Sequence, residues 1–480
     1  MRIFAVQKDF ETMDDFFDNE EENSNLNELV ERFESMLNDG KHFFFDTVDY
    51  EDLIDFYLQN SQIKLANRAL SMAMEQYPGS TGLLLRQAQV LFTDNKAEKA
   101  LKVLAKVETI DPTNPDVFMT KGAIYSKLQR PSEAIKEYNK ALIDNEDLAN
   151  IYISIAYEYQ NLVNYPKAIE YLKKVISLEP DNDAMLNELA FCCEISQNLE
   201  ESVSFFTEHL NKHPYSHTAW YNLGIAYNEL ELFEKAISAF DFCIAINPDN
   251  VWPYFNKGTA LCNMGLYKLA IESYKSTFIL EKPEATTYYL IGECYEKLEE
   301  FESAADYFKR AIKADKNLAD AWIGLGVVLE ENGDLKSALK YVKKGVTLDP
   351  QNPEYLATQA IIQQHYGLYE EAAESFIKAA KYGPDDQNIW LDFSAMYAEL
   401  DEYNTAIEIL SQGLKVQPDN IQLQIRKVAY FYLSGKPKRA IAHLEYVLTL
   451  DNANLDNLFE YAPFLKDDTV IAEILNDLNT

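Results

Sequence analysis

Basic residues are scarce in this chain: 43 Lys and Arg face 78 Asp and Glu, a formal net charge of −35 over 480 residues. Attraction to phosphate backbones or anionic lipid needs clustered Lys and Arg, so neither nucleic acid nor a membrane surface is an expected partner. Cysteine is also sparse. The five, Cys192, Cys193, Cys243, Cys262 and Cys294, are odd in number and include no CxxC pair. They read as small buried apolar residues of a reducing compartment. There is no run of 18 apolar residues to cross a bilayer. The start, MRIFAVQKDFETMDDFFDNEEE, turns acidic with no apolar core and does not read as a signal peptide. A cytoplasmic location is the expectation. The motifs GxxxxGK[ST], HExxH and GxSxG are all missing, and no cofactor is expected.

What the chain does have is a strict repeat. Alanine recurs every 34 residues at Ala66, Ala100, Ala134, Ala168, Ala236, Ala270, Ala304, Ala338, Ala372, Ala406 and Ala440, with Ser202 filling the one remaining place. The register runs without insertion or deletion from Thr47 to Asn454, giving twelve copies of positions 1 to 34. In residues 217–250, Trp220, Leu223, Gly224 and Tyr227 occupy positions 4, 7, 8 and 11, and Ala236, Phe240 and Cys243 occupy 20, 24 and 27. Each set is an apolar stripe at helical spacing, so every repeat is read as two helices. Small residues at positions 8 and 20 let the two backbones approach; Ile54 and Val428, the exceptions at position 8, fall in the first and last repeats. Pro at position 32, as at Pro180, Pro214 and Pro248, stops the second helix. The Asp or Asn that often follows supplies turn and cap chemistry. Pro131, Pro166 and Pro437 fall in the first turn of a second helix, where a missing N–H is tolerated.

This pattern resembles the tetratricopeptide repeat family over residues 47–454. The resemblance implies an all-α fold: antiparallel helix pairs wound into a right-handed α–α superhelix of more than one turn, with the first helix of each pair lining the concave face. Residues 1–23 are expected to be disordered. Residues 24–46 are read as an N-terminal capping helix, with Leu26, Leu29, Val30, Phe33 and Leu37 on one face and Asn25 with Glu28 as a capping box. Residues 455–480 are read as one or two closing helices, with dimerisation through them as the rival reading.

Three clusters invite chemistry. His209, His213 and His217 are spaced four apart as helical zinc ligands are, but Pro214 should end the helix after His213, and His209 holds a packing position. Cys193, beside Cys192, is likewise at a core position. Gly324-Leu325-Gly326 lacks a third glycine and lies within a helix. No metal site and no enzymatic activity are expected, since the repeats leave no room for a catalytic domain.

The resemblance assigns positions 2, 5, 6, 9, 12 and 13 to the groove. They hold fifteen acidic residues and four basic ones, Arg86, Lys127, Lys297 and Arg426. Some members of the family clamp a chaperone's terminal carboxylate with Lys or Arg at 2, 5 and 6 and Asn at 9. Here positions 2 and 5 have no cation and position 9 no Asn. In the central repeats the groove positions carry Tyr157, Phe191, Tyr221, Trp252, Phe255 and Tyr289, with Asn222, Asn256 and Glu293 beside them. These nine are the candidate ligand-binding residues. Exposed, they form a hot-spot strip; buried, they fill the seam between helices. The stacked Asn222 and Asn256 resemble a fragment of the backbone-binding ladder in the repeats of O-linked N-acetylglucosamine transferases. The expected function is a scaffold or adaptor that binds a basic or neutral peptide or protein with apolar anchors. The alternative is a regulatory or substrate-presenting subunit of a multi-protein enzyme complex.

Overall fold

The computed structural model describes residues 13–40, 43–143, 147–450 and Phe459. The expected closing helices at 455–480 lie outside the described residues, Phe459 apart, as does the start of the stretch expected to be disordered. Among the described residues there are 25 α-helices in tandem and no strand, an all-α array of the α–α superhelix class. The chain divides into two compact units, Met1–Leu232 and Phe233–Thr480.

The first unit opens with a helix over Met13–Asp39, which begins inside the acidic stretch. Asn25 and Glu28 therefore sit in the helix interior, and the expected capping box between them does not form. The capping box of this region belongs to Asp46 and Asp49, which start the helix Thr47–Gln59. The expected apolar face does pack on the first repeat: Leu29 and Phe33 are buried with Phe45, Tyr50, Leu53 and Tyr57, and Leu26, Val30 and Leu37 pack against them. Helix pairs follow in the 34-residue register, Ile63–Gln76 after Thr47–Gln59, then Thr81–Thr93 and Ala97–Ile110, up to His217–Glu229. The second unit continues from Phe233–Ile246 to Pro437–Leu450 in the same alternation.

The small residues act as the periodicity predicts. Every Ala of the series is fully buried, and Ser202 is 2% exposed. At Gly122, Gly258, Gly292 and Gly326, glycine at position 8 faces the side chain at position 24 of its own repeat. A Cβ on Gly258 would lie 2.6 Å from the Tyr274 ring, and one on Gly122 would lie 2.3 Å from the Tyr138 ring. The tyrosines Tyr138 and Tyr274 thus occupy the space a side chain at position 8 would fill, whereas Phe206 and Phe376 are accommodated opposite Ala190 and Ala360. Asn or Asp at position 34 caps the next helix, as when the Asn250 side chain accepts from the Trp252 N–H at 3.1 Å.

One regularity has no clear sequence sign. The residue at position 15, between the two helices, adopts positive φ in all twelve repeats, from Ser61 to Gly435. Only four of the twelve are glycine: Gly265, Gly333, Gly367 and Gly435. The following N–H donates back five residues, as from Gln62 to the Tyr57 carbonyl at 2.7 Å. That is the hydrogen bond of a Schellman ending, and it forces a left-handed residue whatever its side chain.

Candidate functional site

Successive first helices are knitted through the positions assigned to the groove. In the first unit, Arg86 donates to Asp55 at 2.8 Å and lies 3.3 Å from Glu51. Gln160 Nε2 donates to Glu188 Oε1 at 2.7 Å, and Asn222 Nδ2 donates to Asn187 Oδ1 at 2.8 Å. In the second unit, Gln364 donates to Glu399 at 2.7 Å, and Tyr355, at position 3 beside the groove set, donates to Asp320. Each bond spans about one repeat, so these side chains form the seam from one first helix to the next.

Within that seam the candidates divide by exposure. In the first unit Tyr157 and Phe191, both at position 9, are 40% and 48% exposed. Partial burial pushes the Tyr157 phenol above its usual range, and the Glu188 carboxylate adds to the shift. Tyr221 is half-buried. Asn222 is buried, and its amide donates within the seam to Asn187.

In the second unit Trp252 is 60% exposed, on the first turn of the helix Val251–Asn263. Its ring meets Phe255 edge-on at 6.4 Å, and Phe255 in turn meets the fully buried Tyr274 at 5.5 Å. Phe255 and Asn256 are half-buried. Tyr289, on Ala285–Lys297, rests on Phe308 at 5.7 Å and donates to Glu293 Oε1 at 2.7 Å. Exposed apolar surface is therefore supplied by Trp252, with Phe255 and Tyr274 as its base.

Burial governs the carboxylates beside these rings, with Lys297 acting against it. Burial raises Glu293 above the usual range; the Tyr289 hydrogen bond opposes this and the Asp320 carboxylate adds to it. Burial likewise raises Glu296 and, further along, Asp392. The groove's cations have local contacts: Lys127 lies over the Phe92 ring at 4.9 Å, and Arg426 donates to the Tyr430 hydroxyl at 3.2 Å.

The tempting clusters resolve as packing. His209 is buried and stacks on His213 at 4.8 Å, while His217 opens the next helix, 3.8 Å from Asp183. The helix ends at Lys212, ahead of Pro214. Burial pushes the Cys193 thiol up to about 12, and Cys192 accepts from Gln160. Among the described residues no group of three His, Cys, Asp or Glu could hold a metal ion. Gly324 and Gly326 lie inside the helix Ala319–Glu331. Sequence reasoning missed the approach of Cys262 to Cys294, whose sulfurs are 3.1 Å apart. Their spacing of 32 residues matches no motif.

Tetratricopeptide repeat models match residues 115–142 and 149–182, 217–250, 255–319 and 295–362. Together with the tandem helix pairs this decides the family. The chain is a tetratricopeptide repeat protein. It is similar to the Hsp70-Hsp90 organizing protein of Triticum aestivum, 38% identical over 86 residues, or 18% of this chain and 15% of that one. It is also similar to the ER membrane protein complex subunit 2-A of Xenopus laevis, 26% identical over 221 residues, 43% of this chain and 71% of that one. The chain thus spans less than a fifth of the wheat protein's length and about seven tenths of the Xenopus one. Among solved structures, MamA is 27% identical, covers 34% of this chain and 95% of its own, and superposes with a TM-score of 0.32. No helix among the described residues is long and apolar enough to cross a membrane.

Proposed function

We propose that this tetratricopeptide repeat protein is a cytoplasmic protein-interaction scaffold, and that it holds a basic peptide or helix with apolar anchors against its first helices. The observation that carries the reading is Trp252. It is a large ring left 60% exposed on a rigid base of Phe255 and Tyr274. Anchors of this kind supply much of the binding energy at protein interfaces. The raised carboxyls of Glu293 and Glu296 support a cationic partner, because Lys or Arg brought beside them would restore their charged form. Tyr157 and Phe191 offer comparable rings in the first unit. Binding the carboxylate tail of a chaperone is not part of the proposal, despite the wheat relative, because the cations for that task are missing at positions 2 and 5. No catalytic role is proposed.

A second reading is a subunit of a larger complex, and the named relatives favour it. Among them the Xenopus laevis protein is, by its name, an ER membrane protein complex subunit.

The test compares partners captured by wild type with those captured by variants carrying Trp252→Ala or Tyr157→Ala/Phe191→Ala. These rings are exposed, so truncation should leave the helical circular dichroism unchanged. Loss of a defined set of partners supports the groove reading. Unchanged partner lists refute it. A stoichiometric assembly that survives all three substitutions favours the subunit reading.

A further inference from the structure

We propose that Cys262 and Cys294 are a redox-responsive dithiol that hydrogen peroxide closes to a disulfide, joining the first helices of the seventh and eighth repeats. Cys262 lies near the end of the helix Val251–Asn263, and Cys294 lies within Ala285–Lys297. Their sulfurs are 3.1 Å apart. A disulfide bond is about 2.05 Å long, so closure asks for a movement of about 1 Å. Both thiols sit on regular helices, which hold the two sulfurs in place before any reaction.

The pair is asymmetric. Cys262 is half-buried and open to a small oxidant, whereas Cys294 is 1% exposed. The Tyr274 hydroxyl lies 3.9 Å from the Cys262 sulfur and is itself within 3.1 Å of the Thr259 hydroxyl. The hydrogen bond between the two sulfurs lowers the Cys262 thiol against the opposing effect of burial and raises the Cys294 thiol, where burial adds to the rise. Cys262 is therefore the thiol that reacts first. The other cysteines differ: Cys192 and Cys193 are neighbours on one helix, and burial pushes Cys243 up to about 12.

The chemistry balances in two steps. The Cys262 thiolate attacks one oxygen of hydrogen peroxide, the O–O bond breaks, and the departing hydroxide takes a proton to leave water and a sulfenic acid. The Cys294 sulfur, giving up its proton, then attacks the Cys262 sulfur. The S–O bond breaks, hydroxide leaves, and that proton makes it a second water. Two thiols have lost two electrons, and peroxide has gained them. The product encloses the helix Tyr267–Leu280 in a covalent loop and ties two repeats together beside Tyr289 and Glu293. This inference is independent of the groove reading.

The test uses the full chain, reduced, desalted, exposed to hydrogen peroxide, blocked with N-ethylmaleimide and digested. The expected product is a peptide pair linking Cys262 to Cys294, lighter by two hydrogens than the separate peptides and released by dithiothreitol. It should form on the order of tenfold faster in the folded chain than in urea, because the fold holds the sulfurs together. Cys262→Ser should abolish it and leave Cys294 free to take maleimide after denaturation. Sulfinic acid on Cys262 without linkage would overturn the proposal. So would an equal rate in urea, or a preferred bond between Cys192 and Cys193.

Discussion

The Tyr289 hydroxyl donates to the Glu293 carboxylate one helical turn further on, at 2.7 Å. The carboxyl is raised by burial, with the nearby Asp320 carboxylate adding to the shift. A raised carboxyl binds more protons in the folded chain than in the unfolded one. The stability it contributes is full below its ordinary value of 4.5 and is lost as pH rises through its folded value. Glu293→Gln keeps an acceptor for Tyr289 and removes the charge. The variant should melt at a higher temperature than wild type near pH 7 and show no advantage near pH 4. It should also bind an arginine-rich peptide more weakly. Calorimetry at the two pH values, with titration of the peptide, checks both halves.

His443 makes the opposite prediction. It is lowered to about 4 by burial and then by Lys427, and its Nε2 has no hydrogen-bond partner. The stability it contributes is present above 6.5 and is lost as pH falls toward its folded value. Hydrogen exchange over Ile421–Leu433 and Pro437–Leu450 should therefore accelerate between pH 7 and 5 relative to its intrinsic rate, and His443→Phe should blunt that change.

Gly258 tests the fit of ring into gap. Its absent Cβ would fall 2.6, 2.8 and 2.9 Å from atoms of Tyr274, a ring that is fully buried. Gly258→Ala should cost about 1–3 kcal/mol by overpacking. The loss should be confined to the neighbouring repeats, since stability in such arrays is close to a sum of nearest-neighbour terms. Urea unfolding with residue-level hydrogen exchange would show the size and the spread.

Val163 is strained in the native chain. It is a β-branched residue at φ 57°, 71% exposed, in the turn between two helices of the fourth repeat. Val163→Gly relieves a left-handed conformation that costs about 1–2 kcal/mol, against roughly 0.5–1 kcal/mol of added unfolded-chain entropy. The variant should be more stable by up to about 1 kcal/mol in urea denaturation. A destabilised variant would show that the exposed valine makes contacts worth more than the strain.

Much of this was legible without coordinates. The alanine series, the helix stripes and the prolines encode contacts inside one repeat, where the partner lies a fixed few residues away. Hence Ala236 is fully buried, as its place in the register predicts, and Pro131, Pro166 and Pro437 occupy first turns. The turn at position 15 was not legible, because its left-handed residue is imposed by helix closure and only a third of the repeats mark it with glycine.

The architecture, the register of each residue, the excess of acid and the lack of a carboxylate clamp are all readable from the linear chain. These depend on local periodicity and composition, which a linear chain carries in full. Which groove residues face outward emerges from the packing of the helices. Tyr157, Phe191 and Trp252 are exposed, while Asn222 is buried and hydrogen-bonded, though all four occupy groove positions. The same packing decided that Cys262 and Cys294 meet. Exposure and sulfur contact depend on how one repeat rotates onto the next, and that rotation is set by packed side-chain volumes, which no spacing in the chain records.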